Sequence, residues 1–204
     1  MPELPQGAGP LVCEVARKAI AARLGAADPR SRTPDGAPTA LSGSTTDLGY
    51  ENAHPWLETP GAAFVTLTQD GALRGCIGSL TAYRPLREDI AANAVNAAFR
   101  DPRFPPLSAR ELPGTHIEVS ILSDPEPYPF SDRADAVSRL RPGVDGVTLE
   151  YGTHRGTFLP QVWDSLSEPE DFLNHLVRKA GLPAGWWDDD ARLSRYTVKA
   201  FEET

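Results

Sequence analysis

Residues 63–78 read Ala63-Phe64-Val65-Thr66-Leu67-Thr68-Gln69-Asp70-Gly71-Ala72-Leu73-Arg74-Gly75-Cys76-Ile77-Gly78. The run from Ala63 to Thr68 is rich in strand formers, Gln69-Asp70-Gly71 is a turn, and Ala72 to Ile77 returns, so the segment predicts a β-hairpin. Period-two alternation in the returning strand puts Leu73, Gly75 and Ile77 on one face and Arg74 with Cys76 on the other. The Arg74 and Cys76 Cα atoms would lie roughly 6–7 Å apart. Glycine weakens a strand interior, so Gly75 and Gly78 point to a bulge or to close approach of another backbone or a ligand. An arginine beside a thiol favours the thiolate, which attacks electrophiles and binds soft metals. The plainer reading is a small buried cysteine at a bend, with its arginine turned to solvent or to an internal carboxylate.

Working outward, Leu11, Val12, Val15, Ala16, Ala19, Ile20 and Leu24 form a helical stripe that predicts a helix over 11–24, stopped by Gly25. Cys13 sits at the edge of that stripe and reads as packing. Residues 26–50 are rich in Pro, Gly, Ser, Thr and Asp, which predicts a long mobile surface loop. After the hairpin, Pro85 opens a helix with Leu86, Ile90, Ala94 and Ala97 facing inward, ending near Phe99 before Asp101-Pro102. Thr115 to Leu122 is a strand with Ile117, Val119 and Ile121 on one face and His116, Glu118 and Ser120 on the other. A second hairpin spans Val147–Tyr151 and Arg155–Leu159. A helix follows from Glu168 to Ala180, with Ser167 and Glu170 at capping-box spacing and Gly181 closing it. Arg195 to Ala200 alternates like a final strand. The pattern predicts an α+β fold, mainly antiparallel, with residues 1–9 as a tail and 10–204 as one domain, large enough to split into a large and a small subdomain.

The chain has 204 residues and a net charge of −8. That balance disfavours sequence-independent nucleic-acid binding, which needs a basic patch. No run reaches the roughly 18 apolar residues of a membrane span, and the start Met1-Pro2-Glu3-Leu4 does not read as a signal peptide. Cys13 and Cys76 form neither a CxxC pair nor a disulfide framework. A cytoplasmic protein with reduced thiols is the expectation. The four histidines, at 54, 116, 154 and 175, show no ligand spacing, and P-loop, GxGxxG and GxSxG patterns are absent, so no metal or cofactor is expected.

Leu73-Arg74-Gly75-Cys76-Ile77-Gly78 resembles the signature of the AMMECR domain family, whose bacterial members are called AmmeMemoRadiSam system protein A. Arg100-Asp101-Pro102-Arg103-Phe104-Pro105-Pro106-Leu107, Ile117-Glu118-Val119-Ser120-Ile121-Leu122 and Arg155-Gly156-Thr157-Phe158-Leu159-Pro160-Gln161-Val162-Trp163 resemble the same family in the same order, and the likeness covers about residues 10–202. It implies an α+β fold and a setting beside a radical-SAM protein and a Memo-type protein. Cys76 and Glu118 belong to the family pattern; His116 does not.

The polar faces of the strands carrying Arg74-Cys76 and His116-Glu118 would converge if those strands lie close. Arg74 could then hold a carboxylate or phosphate, Cys76 could be a nucleophile, and Glu118 an acid, base or orienter of His116. The alternative is a solvated sheet face with an ion pair of little value. Arg100-Asp101-Pro102-Arg103 either closes a helix C-terminus or places Arg103 at the rim of the same cleft. Asp145-Gly146 and Arg155-Gly156 suit turns and close approach, and Arg155 could be another anion contact. Trp186 or Trp187 reads as packing on the core beside solvated aspartates, and two exposed rings would instead suggest a protein contact. Two functions remain open: an enzyme component with Cys76 and Glu118 catalytic and Arg74, Gly75, Gly78, Arg103 and Arg155 binding, or a non-catalytic scaffold that holds a partner or intermediate in the cleft.

Overall fold

The computed structural model describes residues 4–27 and 54–203. In chain order the elements are helix α1 (Ala8–Ala27), strands β1 (Ala63–Gln69) and β2 (Ala72–Gly78), helix α2 (Leu86–Phe99), strands β3 (Thr115–Leu122) and β4 (Glu126–Pro127), helix α3 (Arg133–Ser138), strands β5 (Gly146–Tyr151) and β6 (His154–Phe158), helix α4 (Pro169–Lys179), and strands β7 (Arg192–Tyr196) and β8 (Val198–Glu202). They form an α+β fold with two four-stranded antiparallel sheets, ordered β2-β1-β3-β8 and β4-β7-β5-β6. The chain divides into two compact units, Met1–Leu122 with Lys199–Thr204, and Ser123–Val198.

In the first unit, the hairpin and β3 supply alternate residues to one core. Val65, Leu67, Ile117 and Val119 are fully buried together with Val12, Val15 and Ile20 of α1 and Leu86, Ile90 and Ala94 of α2. Apolar residues at every second strand position and every third or fourth helix position force this packing, because only then does each element bury its apolar side. The second unit has its own core of Val147, Leu149, Phe172, Leu173, Leu176 and Trp163. The Trp163 and Phe172 rings stack with centroids 3.8 Å apart. Trp186 and Trp187 pack at its margin, on Tyr151 and Phe130 respectively.

Several boundaries differ from the sequence reading. Helix α1 starts at Ala8, inside the expected tail, and continues through Gly25 to Ala27. A glycine costs a helix only about 1 kcal/mol and ends it when it takes a left-handed turn. Gly181 does so after α4, at φ 81°, where the Leu182 N–H reaches back to the Val177 carbonyl at 3.2 Å. The start of α4 is set by Pro169 in its first turn; Glu168 occupies the cap position and no side chain caps it, so the Ser167–Glu170 box is not formed. The single final strand expected over Arg195 to Ala200 is instead parts of two strands in different sheets, β7 and β8, separated at Thr197. The expected loop over 26–50 lies, beyond Ala27, outside the described residues.

Candidate functional site

Cross-strand register decides which side chains meet. Thr66 pairs with Cys76 on one side and with Glu118 on the other. Antiparallel partners point to the same face, so Cys76, Thr66 and Glu118 form one row. They lie opposite the core face of Val65 and Leu67, with Cys76 and Glu118 two strand spacings, roughly 10 Å, apart. The parallel rows on that face are Gly78–Phe64–Ser120 and Leu73–Thr68–His116. The Thr66 hydroxyl donates to Cys76 Sγ at 3.4 Å, and the Ser120 hydroxyl to Glu118 Oε1 at 3.0 Å. His116 leans towards Glu202, at 3.9 Å. No Cys76–His116 hydrogen bond exists among the described residues, because the histidine stands in a different row, two strands away.

Arg74 is not on this face. Leu67 pairs with Gly75 but Thr68 pairs with Leu73, which leaves Arg74 as the extra residue of a β-bulge. The bulge resets alternation, so Leu73 and Cys76 face outward together and Arg74 drops out of the row. Its buried guanidinium donates through Nε and Nη2 to Glu111 Oε1 at 3.3 and 3.2 Å, and among the described residues its Nη1 has no partner. The Glu111 carboxyl is held below its usual range, first by its hydrogen bonds with Ser108 and then by Arg74. The residue next to the bulge, Gly75, lies under α2. A Cβ on Gly75 would stand 2.2 Å from the carbonyl oxygen of Ala97, so α2 packs directly on the β2 backbone. Gly78 makes room for a ring, since a Cβ there would meet Phe64 at 2.2 Å. Both glycines thus have packing partners.

The cation beside Cys76 is Arg103. β2 is an edge strand, and the free backbone edge of Cys76 is taken by the turn that follows α2. The Cys76 N–H donates to Asp101 Oδ2 at 2.9 Å, and Arg103 Nη2 donates to the Cys76 carbonyl at 3.3 Å. Asp101 is buried and grips Arg103 as a fork, from Nε to Oδ1 at 2.9 Å and from Nη2 to Oδ2 at 2.7 Å, with the Arg103 N–H adding a contact to Oδ1 at 3.1 Å. These bonds, led by those from the Arg103 side chain, hold the Asp101 carboxyl far below the ordinary carboxylate range. The same pairing raises Arg103.

A buried polar cluster escaped the sequence reading. The fully buried Asp89 accepts from Ala63 N–H at 2.9 Å, Ser79 Oγ at 2.7 Å, Arg84 Nε at 2.9 Å and Asn93 Nδ2 at 3.0 Å. It ties the ends of β1 and β2 to α2. The available signal was Asp89 and Asn93 at i, i+4 beside the stripe of Ile90 and Ala94, a spacing that marks a buried pair as readily as a solvated one. The cluster is satisfied throughout and reads as structure.

Arg155 belongs to the second unit, where it is half exposed and pairs with Glu150 at 3.1 Å. Gly156 admits α4, its missing Cβ falling 2.8 Å from Ala180 N. Asp145 is buried under Arg141, at 2.6 Å, and Gly146 makes room for the Tyr196 ring. A 480 Å³ groove in this unit is lined by Pro127, Tyr128, Phe130 and Leu193 among others. Among the described residues no group of three His, Cys, Asp or Glu side chains could hold a metal ion.

The AMMECR1 family model matches residues 13–201. The chain belongs to the AMMECR1 family. Among archaeal relatives, a protein of Methanothermobacter thermautotrophicus is 42% identical over 146 residues, 69% of this chain and 74% of that one. Protein MJ0810 of Methanocaldococcus jannaschii is 39% identical over 140 residues, covering 66% and 68%. One from Sulfolobus acidocaldarius is 41% identical over 164 residues, covering 75% and 70%. The crystal structure of the uncharacterized protein PH0010 from Pyrococcus horikoshii is similar with a TM-score of 0.73 at 31% identity, covering 96% of this chain and 91% of that one. The names of these AMMECR1-family relatives carry no activity, so any assignment has to come from the chemistry of the site.

Proposed function

We propose that this AMMECR1-family protein is a small cytoplasmic enzyme component that works with radical-SAM and Memo-type partners through the outward face of its first sheet, with Cys76 and Glu118 as the reacting groups. The observation that carries this reading is the row Cys76–Thr66–Glu118. Within the signature, Arg74 is occupied by Glu111, Gly75 by α2, Ile77 by the core and Gly78 by Phe64. Of the rest, Cys76 alone brings a reactive group to the outward face. Its thiol is free and half-buried. Among the described residues no helix is long and apolar enough to cross a membrane.

Reconstitution with the products of the neighbouring genes tests the reading. Cys76→Ser and Glu118→Gln should fold normally and abolish joint product formation, whereas the purified chain alone should show no turnover. Full joint activity from both variants would remove the site. A scaffold role has one observation in its favour: the hydrogen bond on Cys76 Sγ comes from a threonine hydroxyl, which is not a base. In that case the variants would weaken partner binding and leave the partners' own chemistry intact.

A further inference from the structure

We infer that Arg103, positioned by Asp101, is the anion anchor of this site, so that the molecule presented to Cys76 carries a carboxylate or phosphate group. The inference rests on the reading that the Cys76 face is the working surface, and it names the class of substrate.

The Asp101 fork uses Nε and Nη2 and orients the guanidinium plane. Among the described residues the remaining nitrogen, Nη1, has no partner, and the Arg103 side chain is 54% exposed while that of Asp101 is 1% exposed. Solvent therefore meets the cationic end of the pair. A guanidinium fixed in this way loses little freedom when it grips a second oxyanion. The fork is registered to the residue that bears the thiol, because Asp101 holds the Cys76 N–H and Arg103 the Cys76 carbonyl. Capping the strand edge does not by itself call for a guanidinium: Asp101 already satisfies the N–H, and water can serve an edge carbonyl. Glu118 stands roughly 10 Å from Cys76 across two strands, about a Debye length at physiological salt, so its repulsion of an anion at Cys76 is weakened by screening. Arg74, the other candidate, is buried against Glu111.

The test compares alkylation of Cys76 by iodoacetate, an anion, and by iodoacetamide, its neutral counterpart, near neutral pH and low salt. Each rate is read by mass spectrometry and normalised to the same thiol in urea. The native protein should favour iodoacetate by about three- to fivefold, the scale of an exposed ion pair. The preference should vanish in Arg103→Gln, persist in part in Arg103→Lys, and fade as salt is raised. Protection of Cys76 by inorganic phosphate, beyond that of chloride at equal ionic strength, would point to a phosphate ligand; protection by acetate alone would point to a carboxylate. Equal normalised preference in wild type and Arg103→Gln would overturn the anchor and leave the reactive face standing. Failure of both reagents to label native Cys76 would remove the proposed function together with the anchor. Should Arg103→Gln not fold, the salt dependence and anion protection of the wild type decide: their absence refutes the inference.

Discussion

Replacing Asp101 with asparagine interrogates the turn that holds Cys76. The carboxylate accepts four hydrogen bonds, on Oδ2 from Cys76 N–H at 2.9 Å and Arg103 Nη2 at 2.7 Å, and on Oδ1 from Arg103 N–H at 3.1 Å and Nε at 2.9 Å. Asparagine keeps the shape but has one oxygen, and its NH₂ only donates. Whichever way the amide turns, the NH₂ confronts two N–H donors. A buried donor left without a partner costs about 1–3 kcal/mol. The ion pair itself adds only about 0–1 kcal/mol, since Arg103 can turn to water. The variant should therefore lose about 2–3 kcal/mol, or roughly 5–10 °C of melting temperature for a chain of this size. A pH signature separates charge from shape. Because the native carboxyl is held far below its usual range, its contribution is fully present above the unfolded value of about 3.9. It is lost as pH falls below that value towards the native one. The gap between wild type and Asp101→Asn should thus be constant at neutral pH and narrow in acid. Urea unfolding followed by both circular dichroism and tryptophan fluorescence measures it, two probes being needed because the two units need not unfold together. A gap under about 0.5 kcal/mol, the scale of an ordinary surface substitution, or one that does not narrow in acid, would refute the reasoning.

Further outcomes follow from the same geometry. Gly75→Ala should cost about 2–3 kcal/mol and Gly78→Ala about 1 kcal/mol, because the first collides with the backbone of α2 and the second with a ring that can swing aside; equal shifts in melting temperature would contradict this. Cys13 is buried, its thiol pushed up to about 11 chiefly by burial and next by Glu203, so in the native protein iodoacetamide should label Cys76 and spare Cys13. For the same reason stability should fall as pH rises above the ordinary thiol value of about 8.5, since the unfolded chain releases a proton that native Cys13 retains, and Cys13→Ala should flatten that dependence in alkaline urea titrations.

The strands were legible because alternation is a local property: Ala63 to Thr68 forms the expected strand, and Thr115 to Leu122 buries Ile117, Val119 and Ile121, the apolar face that the pattern set apart. Side-chain partners were not local. The bulge at Arg74 sits beside Gly75, where α2 lies on the strand backbone, a contact with Ala97, which is distant in sequence. The same alternation rule that paired Arg74 with Cys76 therefore failed at the residue where a tertiary contact intervened. Asp101 and Arg103 were recognisable as a charged turn, and their grip on the edge of β2 depends on the fold bringing the end of α2 back to that strand. Thr197 divides the last alternating run between two sheets, and nothing in its neighbours' pattern marks that division.

Hydrogen bonding at Cys76 separates its two roles by atom. The backbone N–H and carbonyl belong to the turn, through Asp101 and Arg103. The thiol belongs to the outward row, through Thr66. A side-chain substitution such as Cys76→Ser leaves the backbone clamp untouched, so it can remove chemistry without loosening the edge of the sheet. Asp101→Asn does the reverse: it spares the thiol and frees the guanidinium. If the site needs both a nucleophilic sulfur and an oriented cation, the two variants should fail differently. Cys76→Ser should still retain bound anion, detected by phosphate-dependent stabilisation against heat, whereas Asp101→Asn should lose that stabilisation while its thiol stays open to iodoacetamide. Loss of both properties in both variants would mean that the clamp and the row are one cooperative structure, and the division of labour drawn from their hydrogen bonds would be wrong.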